Sequence, residues 1–325
     1  MLLEKNEMRG VFNRIGGALL FFLLLFNVLV GGASTVGEIF RLTNHSAATY
    51  IVTDLVTSFA YLISFTAPVW FFFKISKGKT VHALGLSLEV NEERGALSIL
   101  AIVFLGCAFC FIASYVNSLL APISDEVSDA ISTSGLNSGY KLVLMFISTA
   151  IIPAFVEELL FRGLILSQIK PYSTLGAILI SAILFGLMHQ TTFQFFYTTV
   201  LGVILAVVRI KTGSIWPCIL VHFFNNFISV MQSYFLDVLD EQTGYTVYMI
   251  IMLLVVIAGL VFGTLFYLLN AAQKGGAKIF SFGVPLSLKQ ESAVFYRAAL
   301  SPTLIAYAAI CAVTMIYTAI TIGSM

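Results

Sequence analysis

The sequence predicts an all-α fold: a polytopic bundle of about nine transmembrane helices, with the N-terminus inside and the C-terminus outside. Three observations lead there. Of 325 residues, 59% are hydrophobic and only 10% are charged, against roughly 25% charged in a soluble domain. The mean hydropathy is +0.99. The apolar residues also run in long unbroken stretches, whereas the strands of a membrane barrel alternate over short segments. A soluble globule, a disordered chain and a disulfide-stapled module are excluded by composition. A net charge of +1 gives no electrostatic reason to expect a nucleic-acid partner.

The nine apolar segments fall near 15–34, 50–73, 97–120, 141–170, 172–190, 192–209, 214–236, 245–270 and 300–322, each long enough to cross a bilayer at about 1.5 Å per residue. Arg9 and Arg14 before the first run, and Gly31 to Ser34 after it, give it the outline of a signal peptide. Its length and the many spans behind it mark it as a retained helix. The fourth segment is apolar over 142–161 and continues as an amphipathic tail to Lys170, just before Pro171.

Orientation follows from lysine and arginine. With the N-terminus inside, all but two of the 17 basic residues fall on the inner side, and only Arg41 and Lys141 fall outside. Positive charge accumulates on the cytoplasmic side, so this orientation is the expected one. The outer loop 122–140 carries Asp125, Glu126 and Asp129, and the outer loop 237–244 carries Asp237, Asp240 and Glu241. The inner stretch 271–299 is read as a cytoplasmic loop. Phe280, Phe282, Val284, Leu286 and Leu288 within it fit a segment lying on the membrane surface, and a plain tether is the alternative. The whole chain, 1–325, forms one membrane domain.

Cys107 and Cys110 form a C-x-x-C within an apolar run, and Cys218 and Cys311 also lie in apolar runs. Without polar neighbours they read as small buried hydrophobes.

Ionisable groups inside a span cost about 2.5–3.5 kcal/mol each at the bilayer centre, so each needs a partner or a function. Here they gather in three consecutive stretches. The first runs from Ile151 to Gly163 and holds Glu157, Glu158 and Arg162. Glu158 and Arg162 are four apart and meet on one helix face. Glu157 points about 100° away, so one carboxylate is neutralised and the other is left free. Pro153, one turn earlier, removes a backbone hydrogen bond and crowds the carbonyl of Thr149, which predicts a kink. Ala150 and Ala154, on the Glu157 side, form a small-residue notch open to a peptide or water. The second stretch places Phe185 four residues before His189. The third places His222 and Asn226 one helical turn apart, with Asn225 between.

Each stretch alone has a plain structural reading: a Glu–Arg pair closing a helix end, an interfacial histidine, or polar side chains bonding neighbouring helices. Together they supply the parts of a hydrolytic site, namely a general base, a proton shuttle and oxyanion donors.

In order, Glu157-Glu158-x-x-x-Arg162, Phe185-x-x-x-His189 and His222-x-x-x-Asn226 resemble the three-motif signature of the CAAX protease and bacteriocin-processing family. These are polytopic intramembrane endopeptidases related to type II CAAX prenyl proteases. The resemblance covers roughly 140–235, which is therefore expected to be the catalytic core. It implies that Glu157, helped by His189, activates water, that His222 and Asn226 stabilise the tetrahedral oxyanion, and that Glu158 with Arg162 is a structural pair. Members are often labelled metalloproteases, and a metal-free glutamate mechanism is the competing view. The residues favour the metal-free mechanism, because there is no H-E-x-x-H helix and no third histidine or cysteine close to the two. A zinc held by His189, His222 and Glu157 remains chemically possible.

The expected partners are membrane lipids and a peptide or protein substrate, with no nucleic acid and no required cofactor. The location is a membrane crossed many times, the cell membrane if the chain is bacterial. The alternative function is a non-catalytic transporter or immunity-type scaffold using the same Glu, His and Asn groups.

Overall fold

A computed structural model describes residues 2–43, 46–75, 84–86, 96–120, 139–274 and 288–322. The protein is all-α over these residues and is a multi-pass integral membrane protein. The first rod consists of α1 (Leu2–Leu25), a wide π-helical turn at Phe26–Gly31 and α2 (Gly32–Thr43), and so extends well beyond the expected 15–34. Then come α3 (Ala47–Ile75) and α4 (Ala96–Leu120). The motif rod is built from α5 (Gly139–Met145), a wide turn at Phe146–Ile151, α6 (Ile152–Glu158), a second wide turn at Leu159–Ile165, and α7 (Leu166–Ile169). The rest of the bundle is α8 (Thr174–Met188), α9 (Thr192–Thr212), α10 (Trp216–Val238), α11 (Glu241–Lys274), α12 (Leu288–Ala299) and α13 (Pro302–Ile322).

Seven of these helical rods are long and apolar enough to cross a membrane. Each of the nine expected segments coincides with a helix, but α8 and α10 stand outside that group of seven. Helix α8 has 15 residues, about 22 Å of rise against a hydrocarbon core of about 30 Å. Helix α10 has 23 residues, but His222, Asn225, Asn226, Gln232 and Asp237 dilute its apolar character. The two helices that fall short are the ones that carry the histidine motifs.

Helix ends follow local chemistry. The hydroxyls of Ser173 and Thr191 accept hydrogen bonds from Gly176 N–H and Gln194 N–H, capping α8 and α9. Between α10 and α11, the Thr243 N–H lies 3.0 Å from Asp240 Oδ1, and the Thr243 hydroxyl and N–H hold the Asp240 carboxyl below its usual range.

The motif rod sits at the centre. It packs against α3, α8, α9 and α10, while α4 covers α9 and α10 and is in turn covered by α11. Helix α1 packs on α3 and α13. Small residues bring backbones close where helices cross. At Gly259 of α11 a Cβ would lie 2.8 Å from the carbonyl oxygen of Phe104 and 2.7 Å from the Ala108 side chain. Ala150 and Ala154 are fully buried in the part of the rod that α10 packs against. The expected open notch is therefore a helix-packing surface.

Within the stretch 271–299, expected as a cytoplasmic loop, residues 271–274 and 288–299 are described and are helical. Helix α11 runs to Lys274, and residues 288–299 form α12, which packs on α1, α8 and α13. Val294 of α12 is buried against Gly176, and Ser173 at the head of α8 donates to Glu291. The apolar residues Phe280 to Leu286 lie outside the described residues, as do Asp125, Glu126 and Asp129. All four cysteines are buried and free.

Candidate active site

Glu157 and Glu158 end α6, and both are buried, at 4% and 0% exposure. Being consecutive, they leave the helix in different directions. Arg162 lies in the wide turn that follows and is also fully buried. Its Nη1 donates to Glu158 Oε1 at 2.8 Å, the contact expected from the i, i+4 spacing. Its Nη2 donates to the Gly202 carbonyl of α9 at 3.1 Å. That reach depends on Gly202, where a Cβ would lie 2.9 Å from the Ala182 Cα of α8. Its guanidinium carbon stands 4.4 Å from the centre of the Phe185 ring.

His222 of α10 is 3% exposed and sits between the two carboxylates. Its Nδ1 is 2.9 Å from Glu158 Oε1, and its Nε2 is 3.9 Å from Glu157 Oε2. A carboxylate oxygen only accepts, so Nδ1 carries the hydrogen it donates to Glu158. Glu158 therefore serves Arg162 and His222 together, which the expected Glu158–Arg162 pair did not include.

Phe185 explains the second motif. Its buried ring meets His189 edge-on at 5.1 Å and His222 at 5.9 Å, and Arg162 lies on its face. His189 caps the end of α8. Its Nδ1 lies 3.0 Å from the Phe185 carbonyl, an acceptor, so in the neutral ring Nε2 is the free acceptor. Gln190, the next residue, adopts φ 55°, a left-handed conformation that is costly for a residue with a side chain. Its carbonyl accepts from the Thr318 hydroxyl of α13 at 3.3 Å. His189 stands within electrostatic range of Glu157 and His222, without a direct hydrogen bond to either among the described residues.

Asn226 lies one turn beyond His222 on α10. Its Nδ2 donates to the Thr149 carbonyl at 3.0 Å. Pro153, four residues after Thr149, has no N–H to offer that carbonyl, and the wide turn Phe146–Ile151 lies directly before it. The expected kink thus takes the form of a widened helix whose freed carbonyl is taken up by Asn226. Asn225 donates from Nδ2 to Asn226 Oδ1 at 3.1 Å and accepts from the Tyr197 hydroxyl.

Sequence reasoning missed Tyr61, whose hydroxyl donates to Glu157 Oε1 from α3. The only available signal was a phenol inside an apolar span, which needs a partner when buried. It also missed Tyr197, and it named Asn225 without giving it a role. Three polar atoms of the cluster are buried without a hydrogen-bond partner among the described residues: Glu157 Oε2, Glu158 Oε2 and Arg162 Nε. Buried polar atoms are normally paired, and Glu157 Oε2 is the one that faces His222 Nε2.

Among the described residues, no three or more His, Cys, Asp or Glu side chains are arranged to hold a metal ion. In the zinc set of Glu157, His189 and His222, the atoms turned toward one another are Glu157 Oε2 and His222 Nε2, 3.9 Å apart. Glu157 Oε1 is already taken by Tyr61 and His222 Nδ1 by Glu158.

Residues 139–228, which contain all three motifs, match the sequence model of the family described as type II CAAX prenyl endopeptidase, Rce1-like. This bears out the family resemblance over that segment. Neither the curated proteins nor the solved structures give a match.

Proposed function

We propose, for a chain whose residues 139–228 are Rce1-like, an intramembrane endopeptidase that hydrolyses a peptide bond in a membrane-associated peptide or protein, with Glu157 as the base. The family match supports a CAAX-type endopeptidase. The observation that carries the mechanism is the orphan oxygen: Glu157 Oε2 is buried, has no hydrogen-bond partner among the described residues, and faces His222 Nε2 at 3.9 Å.

In this reading Oε2 takes a proton from a water molecule held with the help of His189 Nε2. The water oxygen adds to the peptide carbonyl carbon, forming a tetrahedral oxyanion. His222 Nε2–H and the second Nδ2 hydrogen of Asn226 stabilise that charge. Glu157 then returns the proton to the leaving nitrogen as the C–N bond breaks, giving an amine and a carboxylic acid that releases its remaining proton to water. His222 keeps Nδ1 on Glu158 while its Nε2 faces Glu157 Oε2, so the ring is held in place between the base and the structural pair.

The same reading keeps nine spans with the N-terminus inside. It uses no metal, the cluster supplying base and oxyanion donors from its own side chains.

The test is cleavage of a quenched fluorescent peptide in proteoliposomes, with and without a prenylated cysteine, by the parent protein and by Glu157→Gln. Gln keeps the shape and loses the basicity, so cleavage should fall by about 10²–10⁴-fold with the melting temperature retained. Exhaustive chelation should leave the parent rate unchanged. Undiminished cleavage by Glu157→Gln would refute the mechanism, and chelator-sensitive cleavage restored by zinc would replace it with a metal site.

A further inference from the structure

Helix α3 lies outside the matched segment 139–228, yet it contributes a direct contact to the base. Tyr61 donates its phenolic hydrogen to Glu157 Oε1. The ring is set by aromatic packing: Phe65 lies 4.7 Å away and Phe26 meets it edge-on at 5.8 Å. Phe26 opens the wide turn Phe26–Gly31 of the first rod. All three wide turns among the described residues therefore border the site: one packs on Tyr61, one precedes Pro153, and one carries Arg162. Wide π-helical turns are frequent at functional sites, where they redirect side chains.

We propose that Tyr61 is a positioning residue for the general base: by occupying Glu157 Oε1 it presents Oε2 as the proton-accepting oxygen and tunes the basicity of the carboxylate. The proposal rests on reading Glu157 as the base. The groups facing Glu157 are Tyr61 from α3 and His222 from α10, with His189 of α8 at electrostatic range and Glu158 and Arg162 on its own rod. The histidines act on Oε2 or at a distance, so Oε1 depends on the phenol. A hydrogen bond donated to an ionised carboxylate favours the ionised form. Its removal leaves Glu157 harder to ionise and frees the carboxylate to rotate.

The test uses the full-length protein in lipid nanodiscs. Infrared difference spectroscopy follows carboxyl protonation with pH, the Glu157 band being the one missing from Glu157→Gln. Tyr61→Phe keeps the ring and its packing. It should move the midpoint of that band upward by about one to two pH units, the scale of one hydrogen bond to a charged group. Phe65→Leu, which loosens the same packing and keeps the phenol, should leave the midpoint in place. With a cleavable prenylated peptide, the acid limb of kcat/KM should move in the same direction in Tyr61→Phe. There kcat should fall by about ten-fold and KM should be little changed, as expected of a lost transition-state interaction. An unmoved midpoint in Tyr61→Phe, or an equal shift in Phe65→Leu, overturns the role of Tyr61 alone. A Glu157→Gln protein that still cleaves overturns the base reading and this proposal together.

Discussion

Helix α9 and helices α11 and α13 look alike in sequence, all being apolar runs of 21 residues or more, but they occupy opposite environments. In α9, 44% of the membrane-spanning window is buried inside the protein, against 11% in α11 and 17% in α13. The peripheral helices show lipid a broad face that includes Leu253, Leu254, Leu260, Val313 and Ile316. Lipid tails are as apolar as leucine, so no hydrophobic force separates a face that packs on protein from one that meets lipid. Polar contact and close packing make that separation. Around the motif rod, α8, α9 and α10 exchange hydrogen bonds and ring contacts through Arg162, Phe185, Gly202 and His222. Helix α13 makes few such contacts, among them the Tyr307 hydroxyl donating to the Leu184 carbonyl of α8 at 3.1 Å.

The sharpest way to break the contrast is to remove the charge at its centre. Arg162→Ala leaves Glu158 with only His222 and removes the bond that ties the motif rod to the Gly202 carbonyl of α9. Losing one partner of a buried ion pair costs about 3–5 kcal/mol, so the variant should melt well below the parent in a detergent thermal-shift assay and lose cleavage. Normal melting with normal activity would remove the structural role of the pair.

A somewhat smaller effect is expected at Asn226→Ala. It removes the proposed oxyanion donor, such donors being typically worth about 10²–10³ in rate, and also the partner of the Thr149 carbonyl. Single-turnover kinetics should show the loss in the chemical step, and a change confined to KM would contradict the assignment.

The periphery should respond to shape and hardly at all to side-chain size on its outer face. Gly259→Val drives a side chain into the Phe104 backbone, where a Cβ would already lie 2.8 Å from the carbonyl oxygen, and should cost about 1–3 kcal/mol. Ile316→Ala, on the lipid face of α13 at 58% exposure, should stay within about 0.5 kcal/mol. Equal melting shifts for the two would mean that α11 is not held to α4 by close packing.

Much of the molecule is legible without coordinates, and for a physical reason. Helices are local, so apolar runs mark α1, α3 and α4, and the spacing of Glu158 and Arg162 places them in contact on any helix. Pro153 announces a disturbed backbone because it lacks an N–H wherever it stands. The motif order also places Glu157, His189, His222 and Asn226 on separate or successive turns of neighbouring rods. Tertiary structure decided which of those rods touch, and at what depth. His222 bridges both carboxylates, Asn226 takes up the carbonyl that Pro153 frees, Ala150 and Ala154 pack a helix instead of opening a notch, and Tyr61 reaches Glu157 from 96 residues away. Such contacts depend on helix tilt and on the wide turns that shift register. Neither has a signature in an apolar sequence, where one lipid-compatible face reads much like another.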